Sequence, residues 1–152
     1  MSTPAPPPAP VLPLTWSPRR NRYVLLPLCG VMVIVFTVLA FALPANWHTN
    51  DRAAMVVCGL IFAGVALMLA RPRVSADETG VTVVNFVRSR RLAWAEIVRV
   101  NLRAGDPWVI LDLADGTSLA AVGIQPGAGR AQAVTAARTL RDLVDDRGTA
   151  RR

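Results

Sequence analysis

Two uninterrupted apolar runs, residues 23–43 and 53–70, follow one another in the first half of the chain, and neither contains a charged residue. The hydrocarbon core of a bilayer is about 30 Å thick, and a helix needs roughly 20 residues to cross it. Both runs are close to that length. The sequence therefore predicts an α-helical hairpin of two transmembrane helices within residues 19–73, followed by a small soluble domain at residues 74–147.

The first run also has features of a cleavable signal peptide, because arginines precede it and Ala40-Phe41-Ala42 resembles a cleavage site. However, it exceeds the usual apolar length of about 7–15 residues, and a long proline-rich segment lies before it. Cleavage after the first run stays open as the alternative. In either case the second run would stop transfer and leave the C-terminal domain in the cytoplasm.

All 17 basic residues of the chain are arginine, and the formal net charge is +7. Arginines flank the outer ends of both apolar runs, and the positive-inside rule places such flanks in the cytoplasm. We therefore expect a multi-pass protein of the cell inner (plasma) membrane with both termini cytoplasmic. Basic and aromatic residues beside the runs are expected to anchor the hairpin at the membrane surfaces, namely Trp16, Arg19, Arg20, Arg22, Tyr23, Trp47, Arg71 and Arg73.

Small residues repeat at four-residue spacing within the second apolar run, and such a stripe lets helix backbones approach closely. The expected partner of the stripe is the first span of the same chain. A homo-oligomer formed through the same face is the alternative. The stripe consists of Gly59, Ala63, Ala66 and Ala70.

The two ends of the chain lack the patterns of folded segments. Residues 1–18 are rich in proline and small residues, which predicts a disordered or polyproline II tail. Residues 148–152 contain two arginines and form a predicted basic tail.

The second half of the chain shows strand patterns separated by turn signals. Residues 98–103 alternate apolar and polar side chains, which is typical of a strand with one buried face. Asp115-Gly116 between two apolar segments is a strong hairpin signal, and residues 130–147 carry an apolar stripe at helical spacing. The order predicts an α+β domain of five or six antiparallel strands, forming a sheet or partial barrel that is capped by a C-terminal helix.

Residues 76–83 (ADETGVTV), the stretch Arg91-Leu92-Ala93-Trp94-Ala95-Glu96-Ile97, and the Asp115-Gly116 turn occur in this order between the two spans and the last helix. Over residues 16–147 the chain resembles actinobacterial membrane proteins with a bacterial PH-like domain, the group of the mycobacterial low-molecular-weight protein antigen. The resemblance implies a PH-like fold, a partly open β-barrel capped by a helix. From the residues themselves, Trp94 is expected in the core and Glu96 in the turn beyond it.

Catalysis requires a positioned nucleophile, base or metal ion, and the sequence offers few candidates. His48 is the one histidine and lies in the loop between the spans, while Cys29 and Cys58 fall inside the apolar runs. No glycine-rich phosphate-binding motif is present. We therefore expect neither an enzyme nor a metal site or cofactor. Because the spans contain no ionisable side chain, they are expected to act as an anchor rather than as a transport pathway.

The sequence predicts one candidate binding site, the arginines Arg88, Arg90 and Arg91, at a turn close to the second span. Each arginine near an anionic leaflet contributes about 1 kcal/mol to membrane attraction. The alternative is a solvated turn without a ligand. Nucleic acid is not an expected partner, since no aromatic residues are interleaved with these arginines and the membrane is near.

The sequence thus favours a membrane-anchored, non-catalytic PH-like binding or scaffold module at the cytoplasmic face. Its expected contacts are the lipid bilayer, anionic lipid headgroups and a protein partner or second copy of the chain. The alternative is an accessory subunit of a larger envelope or transport complex, packed through its helical hairpin.

Overall fold

The computed structural model describes residues 11–44 and 46–149, and these residues form three α-helices and seven β-strands. Two helices come early in the chain, six of the seven strands follow them, and the third helix comes last. The elements are β1 (Leu14–Trp16), α1 (Arg19–Ala42), α2 (Thr49–Leu69), β2 (Arg73–Ala76), β3 (Gly80–Val84), β4 (Ser89–Ala93), β5 (Ile97–Asn101), β6 (Val109–Leu113), β7 (Ser118–Ala121) and α3 (Arg130–Thr149).

Helices α1 and α2 form an antiparallel hairpin in which both helices are long and apolar enough to cross a bilayer. Only 11% of the apolar stretch of each helix is buried against protein, which distinguishes them from the core helices of a soluble domain. Large side chains such as Ile34, Phe41 and Ile61 remain exposed. The hairpin predicted from the two apolar runs is therefore present, with α2 beginning four residues before its predicted span, at Thr49.

In the connection between α1 and α2, side chains form hydrogen bonds with backbone groups at the adjoining ends of the two helices. The Arg52 guanidinium donates to the carbonyl oxygens of Leu43 and Pro44, at 3.0 and 3.3 Å from Nη2. At the start of α2, the Asp51 carboxylate accepts a 3.0 Å hydrogen bond from the backbone N–H of His48. A carboxylate in the first turn is also favoured by the helix dipole. Asp51 and Arg52 thus have structural roles in this connection.

The hairpin is inserted between two neighbouring strands of the soluble domain. Strand β1 precedes α1 and pairs antiparallel with β2, which follows α2, with Leu14 opposite Ala76 and Trp16 opposite Val74. The hydroxyl groups of Thr15 and Ser75 also lie 3.2 Å apart. The N-terminal end of α1 and the C-terminal end of α2 are therefore connected to adjacent strands at the same end of one sheet.

Strand β1 corrects one expectation from the sequence. Residues 14–16 belong to the predicted disordered tail but form a strand, and their side chains pack against the core of the domain. Among them is Trp16, an expected membrane anchor, which is half-buried against this core. The physical reason is that β1 adds backbone hydrogen bonds to β2, which a local reading of a short proline-flanked segment does not reveal. Residues 1–10 of the predicted tail lie outside the described residues.

The strands form two antiparallel sheets, one of four strands in the order β1-β2-β3-β4 and one of three in the order β5-β6-β7. Helix α3 packs against β5 and carries the apolar stripe predicted for residues 130–147, ending at Thr149. Of the predicted basic tail, residues 148 and 149 belong to α3, and residues 150–152 lie outside the described part of the chain. The fully buried side chains at the centre of the domain are Val74, Val81, Val83, Leu92, Val100, Val109, Leu111 and Leu140.

The segments after β3 and after β7 both make contacts between the two sheets. The side-chain amide of Asn85, after β3, donates to the Ala120 carbonyl at 2.7 Å and accepts from the Val122 N–H at 3.2 Å. Its amide thus satisfies the free edge of β7 as a neighbouring strand would. Beyond β7, Gly123 lies directly against the backbone of Arg73, so the second sheet approaches the start of β2 closely.

Candidate functional site

The sequence predicts that Arg88, Arg90 and Arg91 lie together in a turn. In the structure only Arg88 lies in a turn. Arg90 and Arg91 belong to β4, which pairs along its length with β3, and Arg88 lies in the turn before it. Arg91 Nη2 is 2.9 Å from Asp77 Oδ2, and Arg90 Nη2 is 3.5 Å from Asp115 Oδ2. These two ion pairs connect β4 to the β2–β3 and β6–β7 turns. Two of the three predicted binding residues are therefore engaged within the domain.

The acidic partners of these arginines sit in two turns of similar construction. Asp77 accepts hydrogen bonds from the Thr79 hydroxyl at 2.6 Å and the Thr79 N–H at 2.9 Å, and Asp115 accepts the same pair from Thr117. Hydrogen bonds from Thr79 and the charge of Arg91 hold the pKa of Asp77 below its usual value, despite an opposing effect of desolvation. Hydrogen bonds from Thr117 and the nearby Arg90 lower the pKa of Asp115 in the same way.

The β2–β3 turn is also a meeting point for the core and for helix α3. Trp94 is buried, as the sequence predicts, and its indole Nε1 donates to the Asp77 carbonyl at 3.2 Å. Arg147 of α3 makes a 2.6 Å contact with the Glu78 carboxylate. Glu96 lies in the short 3-10 helix after β4, where its carboxylate accepts from the Ala93 N–H. Contacts from the core, from β4 and from α3 thus converge on this end of the domain.

We expect the domain to lose stability in acid because the pKa values of Asp77 and Asp115 are lowered by folding. A lowered pKa contributes stability that is complete above the unfolded value of 3.8 and is lost as the pH falls through the folded value. Thr79→Val removes the largest cause of the Asp77 shift, so its melting temperature should be lower at neutral pH and fall less between pH 5 and pH 2. The measurement is thermal unfolding of the full chain in detergent across this range.

Thr82→Val, the same change in strand β3, is the matched control and should follow the pH profile of the parent protein. Identical profiles for Thr79→Val and the parent would show that the Thr79 hydroxyl does not stabilise the charged carboxylate.

The small-residue stripe of α2 faces α1 of the same chain at its first two positions. A Cβ atom on Gly59 would lie 2.8 Å from the Cβ of Phe36, so only glycine permits this helix separation. The Phe36 and Phe62 rings stack with centroids 5.7 Å apart, and the Cys29 thiol contacts the Ala63 carbonyl at 3.5 Å. Ala66 and Ala70 are half-buried. The intrachain partner expected from the sequence therefore occupies the face that a homo-oligomer would need.

The remaining predicted anchors divide between the two ends of the hairpin. Trp47 lies exposed in the α1–α2 connection, and Tyr23 is exposed on the first turns of α1. At the opposite end from Trp47, the start of α1 and the end of α2 bring the predicted arginine anchors together beside the soluble domain. These are Arg19, Arg20 and Arg22 in α1, Arg71 after α2 and Arg73 in β2.

Two adjoining cavities lie at this junction of the hairpin with the domain. The smaller, of about 390 Å³, is lined mainly by apolar side chains from both helices and from the domain, including Val24, Leu69 and Phe86. The larger, of about 710 Å³, lies between the β1–α1 connection and the first half of α3. Arg20 and Gln125 line both. The sequence did not reveal this site, since its walls come from segments more than 100 residues apart, such as Ser17 and Gln132.

Among the described residues that line the two cavities, Arg20 is the one with a charged side chain. Within the described residues, no ion pair or hydrogen bond is made by the guanidinium of Arg20, whereas those of Arg90 and Arg91 are paired. Helix α1 also has no acidic residue in its first turn. The junction is thus an uncompensated positive site. Elsewhere in the described part of the chain, no group of three or more His, Cys, Asp or Glu side chains is arranged to hold a metal ion.

Comparison with known proteins agrees with this architecture. Residues 71–143 match the bacterial PH domain family. Uncharacterised proteins of Mycobacterium bovis and of two Mycobacterium tuberculosis strains are 35% identical over 98 residues, which is 64% of this chain and 63% of each relative. No solved structure matches the chain. Residues 71–143 are therefore similar to bacterial PH domains, and the mycobacterial relatives are consistent with the actinobacterial PH-like family that the sequence resembles.

Proposed function

We propose that the protein is a membrane-anchored, non-catalytic binding or scaffold module that holds its PH-like domain at the cytoplasmic face of the plasma membrane. The observation that carries this proposal is the insertion of the α1–α2 hairpin between β1 and β2. Two covalent connections, rather than one flexible linker, join the domain to the hairpin. Such a domain keeps one orientation relative to the bilayer, which suits a platform for recruiting a partner.

The orientation follows from two independent arguments. The pairing of β1 with β2 requires both ends of the hairpin to be on one side of the membrane. The arginines beside these ends, including Arg22 and Arg71, favour the cytoplasmic side. The α1–α2 connection with Trp47 then faces outward.

Cysteine labelling in intact cells tests this arrangement. With Cys29 and Cys58 replaced by serine, a cysteine introduced at Asn50 should react with a membrane-impermeant maleimide. A cysteine at Val98, which is 62% exposed on β5, should react only after the cells are permeabilised. Labelling of Val98→Cys in intact cells would contradict the proposed cytoplasmic position.

Photo-crosslinking separates the module from the accessory subunit of a larger complex. A crosslinker is placed at Val87 or Val98, exposed on the domain, or at Ile34 or Ile61, exposed on the hairpin. A recruiting module should give a defined protein adduct from the domain positions and lipid adducts from the hairpin positions. A stoichiometric multi-span protein crosslinked from Ile34 and Ile61, with none from the domain, would favour the accessory subunit instead.

A further inference from the structure

We propose that one anionic phospholipid binds in the two adjoining cavities at the junction of the hairpin and the PH-like domain. Its phosphate would contact Arg20, its acyl chains would lie along the smaller cavity, and its headgroup would enter the larger one. The inference rests on the proposed membrane residence of α1 and α2. It adds a specific ligand class and a site outside the arginines of β4.

The smaller cavity has the lining expected around the upper part of an acyl chain. Val24 and Leu25 of α1 face Leu69 at the end of α2, so this cavity is continuous with the apolar surface of the hairpin. Phe86 and Val122 of the domain complete its wall. A lipid in the surrounding leaflet can therefore enter from the side without leaving the bilayer.

The larger cavity has a different lining, which suits a hydrated headgroup. Alanine and glycine residues make much of its wall, and hydroxyl and amide groups supply hydrogen-bond donors and acceptors. The polar residues of its lining other than Arg20 are Thr15, Ser17, Gln125, Gln132, Thr135 and Thr139. A polar headgroup can form hydrogen bonds with hydroxyl and amide groups of this lining, whereas an acyl chain cannot.

The charge of the site selects an anion. No acidic residue is present among the described residues that line either cavity, and Arg20 lies in both. The first turn of α1 lies at the positive end of the helix dipole, where arginine side chains are electrostatically unfavourable. A bound anion would remove this unfavourable interaction. A phosphodiester at Arg20 would compensate both the arginine and the helix dipole. The net negative charge of the lipid distinguishes it from phosphatidylcholine, whose choline group would bring a further positive charge to the site.

Lipid retention by the full chain tests the proposal. The protein in neutral-detergent micelles is mixed with phosphatidylglycerol or phosphatidylcholine, and bound lipid is measured by native mass spectrometry. We expect the parent protein to retain one phosphatidylglycerol in preference to phosphatidylcholine. Arg20→Gln should weaken phosphatidylglycerol retention about fivefold, the equivalent of about 1 kcal/mol for one arginine. Arg99→Gln, at an exposed arginine of β5, is the matched control and should retain lipid as the parent does.

A second variant distinguishes a lipid bound inside the cavity from one attracted only by the positive charge of the protein. Thr135→Trp fills the larger cavity from an exposed position of α3 without changing any charge, and it should also lower phosphatidylglycerol retention. Equal retention of both lipids, equal losses in Arg20→Gln and Arg99→Gln, or full retention in Thr135→Trp would each overturn the proposal. So would displacement of the lipid by sn-glycerol 3-phosphate, which would assign the site to a soluble anion. The cysteine labelling described above can succeed while these results fail, so the two proposals are tested separately.

Discussion

Trp94→Ala is expected to destabilise the PH-like domain by about 3–5 kcal/mol, because it removes a large buried side chain and leaves a cavity. The Trp94 side chain is 4% exposed, lies within the core cluster and donates its indole N–H to the Asp77 carbonyl. The change should therefore loosen the β2–β3 turn as well as the core. The measurement is urea unfolding of the full chain in detergent, followed by hydrogen–deuterium exchange in β3 and β6.

Two variants calibrate this result. Trp94→Phe keeps an aromatic ring but loses the hydrogen bond, so we expect a smaller loss of about 1–3 kcal/mol. Trp47→Ala makes the same change as Trp94→Ala at a side chain that is 45% exposed between the helices, and it should leave exchange in the strands unchanged. If Trp94→Ala exchanged like Trp47→Ala, Trp94 would not be part of the core.

Gly123→Ala should lower the stability of the domain by about 3 kcal/mol, because the added methyl group collides with backbone rather than with a mobile side chain. A Cβ at this position would lie 2.7 Å from the Cα and carbonyl carbon of Arg73 and from the Val74 nitrogen. Relief requires the segment after β7 to move away from β2. For a domain of this size the melting temperature should fall by about 12–24 °C.

Gly127→Ala is the matched control, since a Cβ there meets nothing within 4 Å. It should melt within a few degrees of the parent protein, measured by calorimetry of the full chain in the same detergent. Equal melting temperatures for Gly123→Ala and Gly127→Ala would show that the second sheet and β2 do not meet as described.

The parts of the fold that sequence reasoning found are those with local signals. The apolar runs predicted the hairpin, and the alternation around Val100 and the Asp115-Gly116 turn predicted β5 and the β6–β7 hairpin. The stripe that includes Leu140 predicted α3. Each signal is contained in a segment of about 20 residues or fewer, and the structure confirms the elements that they predict. The buried face predicted for β5 is wrong at Val98, which is 62% exposed, because the pairing of β5 with β6 shifts register between Ile97 and Arg99.

The strands that were missed owe their existence to partners elsewhere in the chain. In β4 only Leu92 is buried, so the sequence of this segment is typical of a charged turn. All five of its residues nevertheless pair with β3. Strand β1 has three residues, and its pairing partner is 60 residues away. The count of five or six predicted strands therefore becomes seven.

The difference between local signals and contacts of distant segments also explains how much of the candidate site could be predicted. The sequence identified the basic residues but could not show which arginines are compensated, because Asp77 and Asp115 lie 14 and 25 residues from their partners. The structure engages Arg90 and Arg91 within the domain and leaves Arg20 with its charge uncompensated by the described residues. It also assembles the cavities beside Arg20 from both ends of the chain.

The placement of β1 before the hairpin has a consequence for synthesis of the protein. Thr15 of β1 is synthesised before its partner Ser75 of β2, which lies 60 residues later in the chain. Synthesis of this intervening segment takes roughly 3–12 s at usual translation rates of about 5–20 residues per second. In the proposed arrangement, both helices enter the membrane during this interval. A chain that inserted only one of them would place β1 and β2 on opposite sides of the bilayer, and the four-stranded sheet would lack an edge strand. Completion of the four-stranded sheet thus depends on both helices having been inserted, because only then do β1 and β2 lie on the same side of the bilayer.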